Sequence, residues 1–199
     1  MTRDELLDLY RRSGALLDGH FRLTSGLHSS GYLQCALVLQ HPQQAEALGR
    51  AIAGRVKDLR PTVVLSPALG GVVIGHETGR ALAVRAIFCE RQEGALALRR
   101  GFTLDATDRV LVVEDVMTTG GSTRETIEVA KAAGGRVVGT ASIVDRSPAT
   151  GSGQAGSLQF DVPFVSLLRI DLPTYEQEQC PLCVRGLPVV KPGSRPVAV

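Results

Sequence analysis

The chain has 199 residues, a length that suits one α/β domain with a well-buried core. Hydrophobic residues make up 44% of it and charged residues 21%, which is ordinary for a soluble globular protein. A formal net charge of +2 and an aromatic content of 4% argue against a nucleic-acid-binding surface. The first residues lack the apolar segment of a signal peptide, and the longest uncharged stretch, residues 62–75, is too short to cross a bilayer. We therefore expect a cytoplasmic protein that binds neither nucleic acid nor membrane.

Helical and strand patterns alternate along the chain. Thr2 and Glu5 form a capping box for a first helix that ends near Gly14, and residues 21–26 and 32–39 favour two short strands. Downstream, the apolar periodicity predicts helices at residues 42–59, 75–82 and 124–133, and strands at residues 62–66, 84–89, 110–113, 136–144 and 162–168.

This alternation predicts an α/β fold with a mostly parallel central sheet flanked by helices. We expect a single domain over residues 1–199. Its core covers about residues 42–170, and a small hood is formed by about residues 1–40 and the C-terminal segment. Residues 150–157 are predicted to be a Gly/Ser-rich loop, and the proline-rich tail after Cys183 to be loosely held.

The central strand leads into a loop whose residue types indicate a phosphate-binding site. Glycines let the backbone approach an anion, and hydroxyl groups and first-turn N–H groups donate to it. Two acids, Glu114 and Asp115, come directly after the strand. They would repel a phosphate, so they should face vicinal hydroxyls of a sugar on the same ligand. A merely polar turn is the alternative, but adjacent acids that end a buried strand need a reason. The residues after the strand are Glu114, Asp115, Val116, Met117, Thr118, Thr119, Gly120, Gly121, Ser122 and Thr123.

A second strand-to-helix turn contains Leu69, Gly70 and Gly71 and lies in the same predicted sheet. Its backbone N–H groups are placed to hold a second anionic group. The alternative is a glycine pair selected for tight helix–strand packing. Two such loops in one small sheet favour a ligand with two phosphate ends.

Three arginines, Arg91, Arg99 and Arg100, lie in the hairpin of residues 90–101. Guanidinium groups match phosphate oxygens, and a mobile basic hairpin could close over the site and exclude water. For any one of them, an exposed and solvated arginine is an equally good interpretation.

Further polar residues flank the predicted site. Arg146 follows Asp145 at the end of the strand beside the main loop, where it can bind a carboxylate with two hydrogen bonds. Near the N-terminus, Ser25 and Gly26 form a polar turn, and Tyr32 could cover a flat ring.

The strand, the acidic pair and the Thr/Gly/Ser loop resemble the phosphoribosyl pyrophosphate (PRPP) motif of type I phosphoribosyltransferases. Together with the N-terminal turn and Arg146, the order of motifs resembles the orotate phosphoribosyltransferase family. That resemblance implies Mg²⁺-dependent transfer of ribose 5-phosphate from PRPP to orotate in pyrimidine biosynthesis, by a homodimer. It also implies that Glu114 and Asp115 hold the ribose hydroxyls and that the loop holds the 5′-phosphate.

The same resemblance assigns the remaining candidate residues. Asp115 and Arg91 are the candidate catalytic residues, with Arg91 on the pyrophosphate. The second loop and the other hairpin arginines complete the PRPP site. The candidate orotate-binding residues are Thr118, Arg146, Ser25, Gly26, His28 and Tyr32. No metal ligand is assigned, because Mg²⁺ would be held mainly by substrate oxygens.

The sequence departs from the family in its hairpin, which is short and lacks the usual lysine and histidine. Gly70 and His28 stand where family members often have lysines. Two alternatives on the same fold stay open: a purine phosphoribosyltransferase, which would keep the PRPP residues, and a PRPP-sensing regulator, which would ordinarily carry a DNA-binding module.

Four cysteines, at positions 35, 89, 180 and 183, do not indicate a disulfide framework. Cys180 and Cys183 form a CxxC turn that supplies half of a zinc site, but no second pair follows it and the four histidines are scattered along the sequence. Zinc binding within one chain is therefore not expected. Free thiols or a site shared between two subunits are the alternatives.

Overall fold

A computed structural model describes residues 1–23, 26–147 and 158–191. The helices are α1 (Arg3–Arg12), α2 (Ala36–Leu39), α3 (Pro42–Val56), α4 (Gly70–Leu82), α5 (Gly121–Ala132) and α6 (Pro181–Val184). The strands are β1 (Leu16–Arg22), β2 (His28–Leu33), β3 (Val63–Pro67), β4 (Arg85–Gln92), β5 (Ala95–Leu98), β6 (Arg109–Met117), β7 (Arg136–Asp145), β8 (Phe164–Arg169) and β9 (Thr174–Tyr175). Among the described residues, no helix combines the length and the apolar character that a membrane crossing requires.

The main sheet has six strands in the order β5-β4-β3-β6-β7-β8. All neighbours are parallel except β4 and β5, which form an antiparallel hairpin at one edge. The prediction of a mostly parallel sheet flanked by helices is confirmed. Strand β6 lies between β3 and β7, so the loop that follows it opens at the middle of the carboxyl edge.

Alternate residues of β6 pack on opposite faces of the sheet, as the two-residue period of a strand requires. Leu111 and Val113 join the apolar cluster under α3, α4 and the hood. Val110 and Val112 join a second cluster that includes Ile127 of α5. All four β6 side chains are completely buried, which explains the uninterrupted apolar run in the sequence.

The hood contains a separate three-stranded sheet in the order β1-β2-β9. Its third strand comes from the C-terminal segment, with Tyr175 paired to His28 and Thr174 to Ser29. Leu6 and Tyr10 of α1 are fully buried in the cluster that also contains Leu48 of α3, so the hood packs directly on the core.

Several predicted boundaries are wrong. Residues 32–39 were expected to form one strand, but β2 ends at Leu33 and residues 36–39 form α2. Without polar alternation, the apolar run that includes Val38 and Leu39 fits a buried helical turn as well as a strand. Helix α4 begins at Gly70, five residues before its predicted start, because glycine lowers helix propensity without preventing a packed helix.

The C-terminal tail was expected to be loosely held after Cys183, and this is wrong for the described part. The Val190 N–H donates to His20 O (2.8 Å), and the Arg22 N–H donates to Val190 O (2.9 Å). The predicted loop at residues 150–157 lies outside the described residues.

Candidate active site

The loop between β6 and α5 has the backbone geometry of an anion cradle. Gly120 has a φ of +73°, a left-handed conformation that glycine adopts without strain, and it precedes the first residue of α5. No side chain of the described residues caps this helix, so its first-turn N–H groups stay available to a ligand. Thr118 and Thr119 are exposed at the rim. The Arg124 guanidinium donates to Thr119 O (2.6 Å) and steadies the loop from outside.

The Glu114 side chain lies next to this cradle and is hydrogen-bonded to a residue of α5. Its Oε2 accepts a hydrogen bond from Thr123 Oγ1 (2.7 Å). Thr123 had been expected to donate to the phosphate, but its side chain is buried on the sheet-facing side of α5. Burial raises the pKa of Glu114 to about 7.

Asp115 lies against the second loop. Its Oδ1 accepts a hydrogen bond from the Val116 N–H (2.9 Å), and burial raises the pKa of this carboxyl as well. A Cβ at Gly70 would lie 2.7 Å from Asp115 Oδ1. Gly70 therefore allows the second loop to come up against the acid, a spacing that a lysine at this position would not permit without movement.

The glycines that follow Gly70 serve packing, which was the alternative interpretation of this loop. A Cβ at Gly71 would lie 2.9 Å from Val113 O, and a Cβ at Gly79 would lie 2.9 Å from Ala86 Cβ. A Cβ at Gly75 would overlap Ser66 Oγ. Small residues at i, i+4 and i+8 thus let α4 lie directly on the sheet. Leu69 is exposed and, with Gly70 and Asp115, lines a cleft of about 270 Å³ between the loop and α2.

All three hairpin arginines are paired with acids. The two terminal nitrogens of Arg91 donate to Glu125 Oε1 and Oε2 (3.3 and 3.0 Å), which lies in the first turns of α5. Arg100 donates to Glu90 (2.9 Å), and Arg99 lies 3.8 Å from the same carboxylate. The hairpin is therefore tied beside the cradle, and a pyrophosphate would have to compete with these carboxylates for the arginines.

Arg146 differs from the other arginines near the site. Its Nε is buried without a hydrogen-bond partner, and no carboxylate of the described residues lies within ion-pair distance. Asp145, its sequence neighbour, is instead bound to Arg169 (3.1 Å). The Arg146 N–H donates to Met117 O (2.8 Å), which fixes the residue beside the first loop.

Two hood residues lie near Arg146. Burial lowers the pKa of its guanidinium, and the electrostatic influence of Cys35 and Tyr32 raises it, which places these two residues near Arg146. Tyr32 is half-buried and contacts the ring of Phe21, with centroids 5.9 Å apart. Gly26 has a φ of +90° in the turn before β2, and Ser25 lies outside the described residues.

His28, also a candidate for orotate, is placed elsewhere. Its imidazole is 3% exposed, and its Nδ1 lies 2.8 Å from His20 Nε2 and 3.3 Å from Cys183 Sγ. The view that the histidines are too scattered to join the CxxC turn is wrong, because the fold brings two of them to it.

Sequence reasoning missed Glu125 and Arg169, which hold Arg91 and Asp145. Each belongs to a different element from its partner, and no local spacing links them. The cue that the sequence offered was the position of Glu125 just after the Gly/Ser loop, where a helix begins.

The site combines a mostly parallel sheet, two glycine-bearing loops at its carboxyl edge, an acidic pair and an arginine that has no acid partner in the described part of the chain. This arrangement is that of a phosphate-binding α/β protein. The phosphoribosyl transferase domain family matches residues 36–156. Orotate phosphoribosyltransferases from Heliobacterium modesticaldum and Chlorobaculum parvum are 51% and 52% identical to the chain. The matches cover 98% of this chain in both cases, and 100% and 97% of the relatives. The chain therefore belongs to the orotate phosphoribosyltransferase family of phosphoribosyltransferase enzymes.

A solved structure supports the same assignment. The Mycobacterium tuberculosis H37Rv orotate phosphoribosyltransferase in complex with PRPP superposes with a TM-score of 0.61 and 27% sequence identity. The match covers 84% of this chain and 95% of that one.

Proposed function

We propose that the protein transfers ribose 5-phosphate from PRPP to N1 of orotate, giving orotidine 5′-monophosphate and pyrophosphate in pyrimidine biosynthesis. The bond from the ribose C1′ to the pyrophosphate oxygen breaks, the bond from C1′ to N1 forms, and the proton of N1 passes to the released pyrophosphate or to water. The relatives that share about half of the residues over nearly the whole chain are named orotate phosphoribosyltransferase. One structural neighbour is described in complex with PRPP.

The observation that carries the choice of base is Arg146. The Arg146 guanidinium is partly buried, its Nε completely so, and it has no acid partner among the described residues. Burying such a group is costly unless an anion joins it. Orotate offers a carboxylate, which an arginine binds with two parallel hydrogen bonds, whereas adenine, hypoxanthine and uracil offer none. Tyr32 beside the guanidinium supplies an aromatic surface for the ring.

The remaining residues would align the donor and stabilise charge. Glu114 and Asp115 would accept hydrogen bonds from the ribose hydroxyls, and the cradle of residues 116–122 would hold the 5′-phosphate. Positive charge develops on the ribose as pyrophosphate leaves, so the two carboxylates also favour the transition state. The leaving pyrophosphate would face the second loop and the hairpin arginines. These are Leu69, Gly70 and Gly71 in the loop, and Arg91, Arg99 and Arg100 in the hairpin.

The donor set fits Mg²⁺, since carboxylate and phosphate oxygens are the ligands it prefers. Glu114 and Asp115 each have one carboxylate oxygen engaged within the protein, which leaves too few for an all-protein cage. We infer that Mg²⁺ is held mainly by PRPP and that it neutralises charge on the pyrophosphate.

We also propose a cytoplasmic homodimer in which the hairpin borders the neighbouring subunit's site.

The experiment mixes the protein with PRPP, Mg²⁺ and one base, and follows orotate by its ultraviolet absorbance. Adenine, hypoxanthine and uracil are run in parallel. We expect turnover of orotate alone, abolished when Mg²⁺ is omitted from the mixture. Turnover of a purine instead would establish the purine phosphoribosyltransferase reading, and PRPP binding without turnover of any base would favour the regulator.

Arg146→Ala separates the base site from the PRPP site. Loss of a charged hydrogen-bonded pair costs about 1.5–3 kcal/mol, so we expect KM for orotate to rise by about 10- to 150-fold. PRPP affinity should be unchanged. Arg136→Ala is the matched control, because Arg136 is exposed at the opposite end of the same strand. Equal effects on both substrates would contradict the assignment of Arg146 to orotate.

A further inference from the structure

Four metal-binding side chains meet in the hood, apart from the site described above. They are His20, His28, Cys180 and Cys183, and one ligand atom from each lies within 4.8 Å of the others. His20, His28 and Cys180 are 5%, 3% and 0% exposed, and Cys183 is half-buried. The proposed transferase reaction uses neither cysteine nor His20. A buried group of two imidazoles and two thiols is a recognised donor set for zinc.

Three separate segments bring this cluster together. His20 and His28 lie on the antiparallel strands β1 and β2, near the turn that joins them. Cys180 immediately precedes α6 and Cys183 lies within it, so the two thiols face the same side of one helical turn. The pairing of β9 with β2, and of Val190 with β1, holds this turn against the hairpin.

The distances fit a tetrahedral zinc site. With Zn–N bonds of about 2.05 Å and Zn–S bonds of about 2.3 Å, a tetrahedron places nitrogen and sulfur about 3.6 Å apart. His20 Nε2 lies 3.5 Å from Cys180 Sγ and 3.7 Å from Cys183 Sγ, and His28 Nδ1 lies 3.3 Å from Cys183 Sγ. The two nitrogens, 2.8 Å apart, need to separate by about 0.5 Å to reach tetrahedral spacing.

The surroundings of His20 set the tautomer that a metal requires. Its Nδ1 lies 2.8 Å from Leu187 O, and a carbonyl oxygen can only accept, so Nδ1 carries the proton and donates it. The lone pair of Nε2 then points to His28 and the two thiols. A ligating histidine whose other nitrogen donates to a backbone carbonyl is the usual outer arrangement of a zinc site.

We propose that His20 Nε2, His28 Nδ1, Cys180 Sγ and Cys183 Sγ bind one Zn²⁺. Four protein ligands leave no open position, so the role is structural. The ion fastens the C-terminal segment to the β1–β2 hairpin and fixes the turn that contains Gly26. Thiolate and imidazole ligands select zinc over the Mg²⁺ of the proposed reaction.

The test measures metal in the full-length protein, purified without chelator, by mass spectrometry. We expect about one zinc per chain, falling below about a tenth in Cys180→Ser and in His20→Asn. The matched controls are Cys89→Ser, a buried thiol on β4 bonded to Thr126, and His41→Asn, an exposed histidine before α3; both should keep their zinc. Wild-type protein that holds no zinc and takes up none from zinc chloride would overturn the proposal, as would full zinc content in Cys180→Ser.

A second measurement uses only the wild-type protein, so it does not depend on the folding of the variants. Zinc is replaced by Co²⁺, and the visible spectrum is recorded. Thiolate-to-cobalt charge transfer with the intense d–d bands of tetrahedral cobalt is expected. A weak octahedral spectrum, or a Cys180–Cys183 disulfide in anaerobically purified protein, would contradict the site. Neither measurement depends on turnover.

Discussion

The cradle after β6 is the proposed phosphate site, and the His/Cys cluster of the hood is the proposed zinc site. The two are assembled in opposite ways. The cradle uses ten consecutive residues, 114–123, and its shape follows from a strand, a glycine turn and a helix start. The cluster joins residues about 160 positions apart, and only the packing of the C-terminal segment on the hairpin brings them together.

The two regions also differ in chemistry. The cradle offers N–H groups and hydroxyls to an anion, with oxygen acceptors for a sugar. The cluster offers sulfur and nitrogen lone pairs to a soft cation. If they are independent, changes in one should leave the readout of the other untouched.

The largest effect is expected from Asp115→Asn. A hydrogen bond to a charged acceptor contributes about 1.5–3 kcal/mol, so kcat/KM for PRPP should fall about 10- to 150-fold. Stability should not fall, since burial already disfavours the charge of this carboxyl. Steady-state kinetics and zinc content would be measured on the same preparation, with the exposed Asp58→Asn as control. Loss of zinc in Asp115→Asn would show that the two regions are coupled.

Gly75→Ala tests the seating of α4 on the sheet. The new methyl group would overlap Ser66 Oγ, and such overpacking costs about 1–3 kcal/mol of unfolding free energy. Gly54→Ala, on the exposed face of α3 with nothing within 4 Å, should instead stabilise by about 0.5–1 kcal/mol. Urea denaturation of the zinc-loaded protein would measure both. Equal stabilities of the two variants would rule out tight packing at Gly75.

The pH dependence of PRPP binding should report Glu114. Burial raises the pKa of Glu114 from its ordinary value of 4.5, which it keeps in the unfolded chain, to about 7 in the folded protein. Between these two pH values the carboxyl is protonated in the folded protein and ionised in the unfolded chain. Stability from this group is therefore greatest below pH 4.5 and declines as the pH rises to about 7. PRPP binding needs the carboxylate, so its affinity should rise with pH, by about tenfold per unit below 7.

Calorimetric titration with PRPP between pH 5.5 and 8 checks this expectation. The affinity of Glu114→Gln should still change with pH because the phosphate of PRPP itself titrates. The part of the pH dependence that comes from Glu114 should be lost. An unchanged slope in Glu114→Gln would show that the phosphate alone is responsible. Zinc content at pH 8 should be the same in both proteins.

The smallest effect is expected from Glu125→Gln, which frees Arg91 from its ion pair. Exposed ion pairs contribute up to about 1 kcal/mol, so the affinity for pyrophosphate should rise no more than about fivefold. Product inhibition by pyrophosphate measures it. Glu128→Gln, on the same helix and paired with Lys131, is the control. A weaker affinity in Glu125→Gln would mean that the ion pair positions Arg91 rather than competing for it.

Local patterns were enough for the elements of the core. The apolar run at residues 110–113, the glycines around residue 120 and the following helix are each set by short-range sterics and hydrogen bonding, so β6 and α5 lie close to their predicted positions. Boundaries failed where two structures satisfy the same local pattern, as at Val38 and Leu39.

The sequence by itself determined the α/β fold, the order of the loops and the residue types of the candidate PRPP site, because a strand-to-helix turn is a local unit. Only the tertiary structure decided which partners each charge takes: Glu125 for Arg91, Arg169 for Asp145, and none among the described residues for Arg146. It also decided that His20 and His28 meet the CxxC turn. Contacts between distant segments depend on how packed layers align in space, and residue spacing along the chain carries no measure of that alignment.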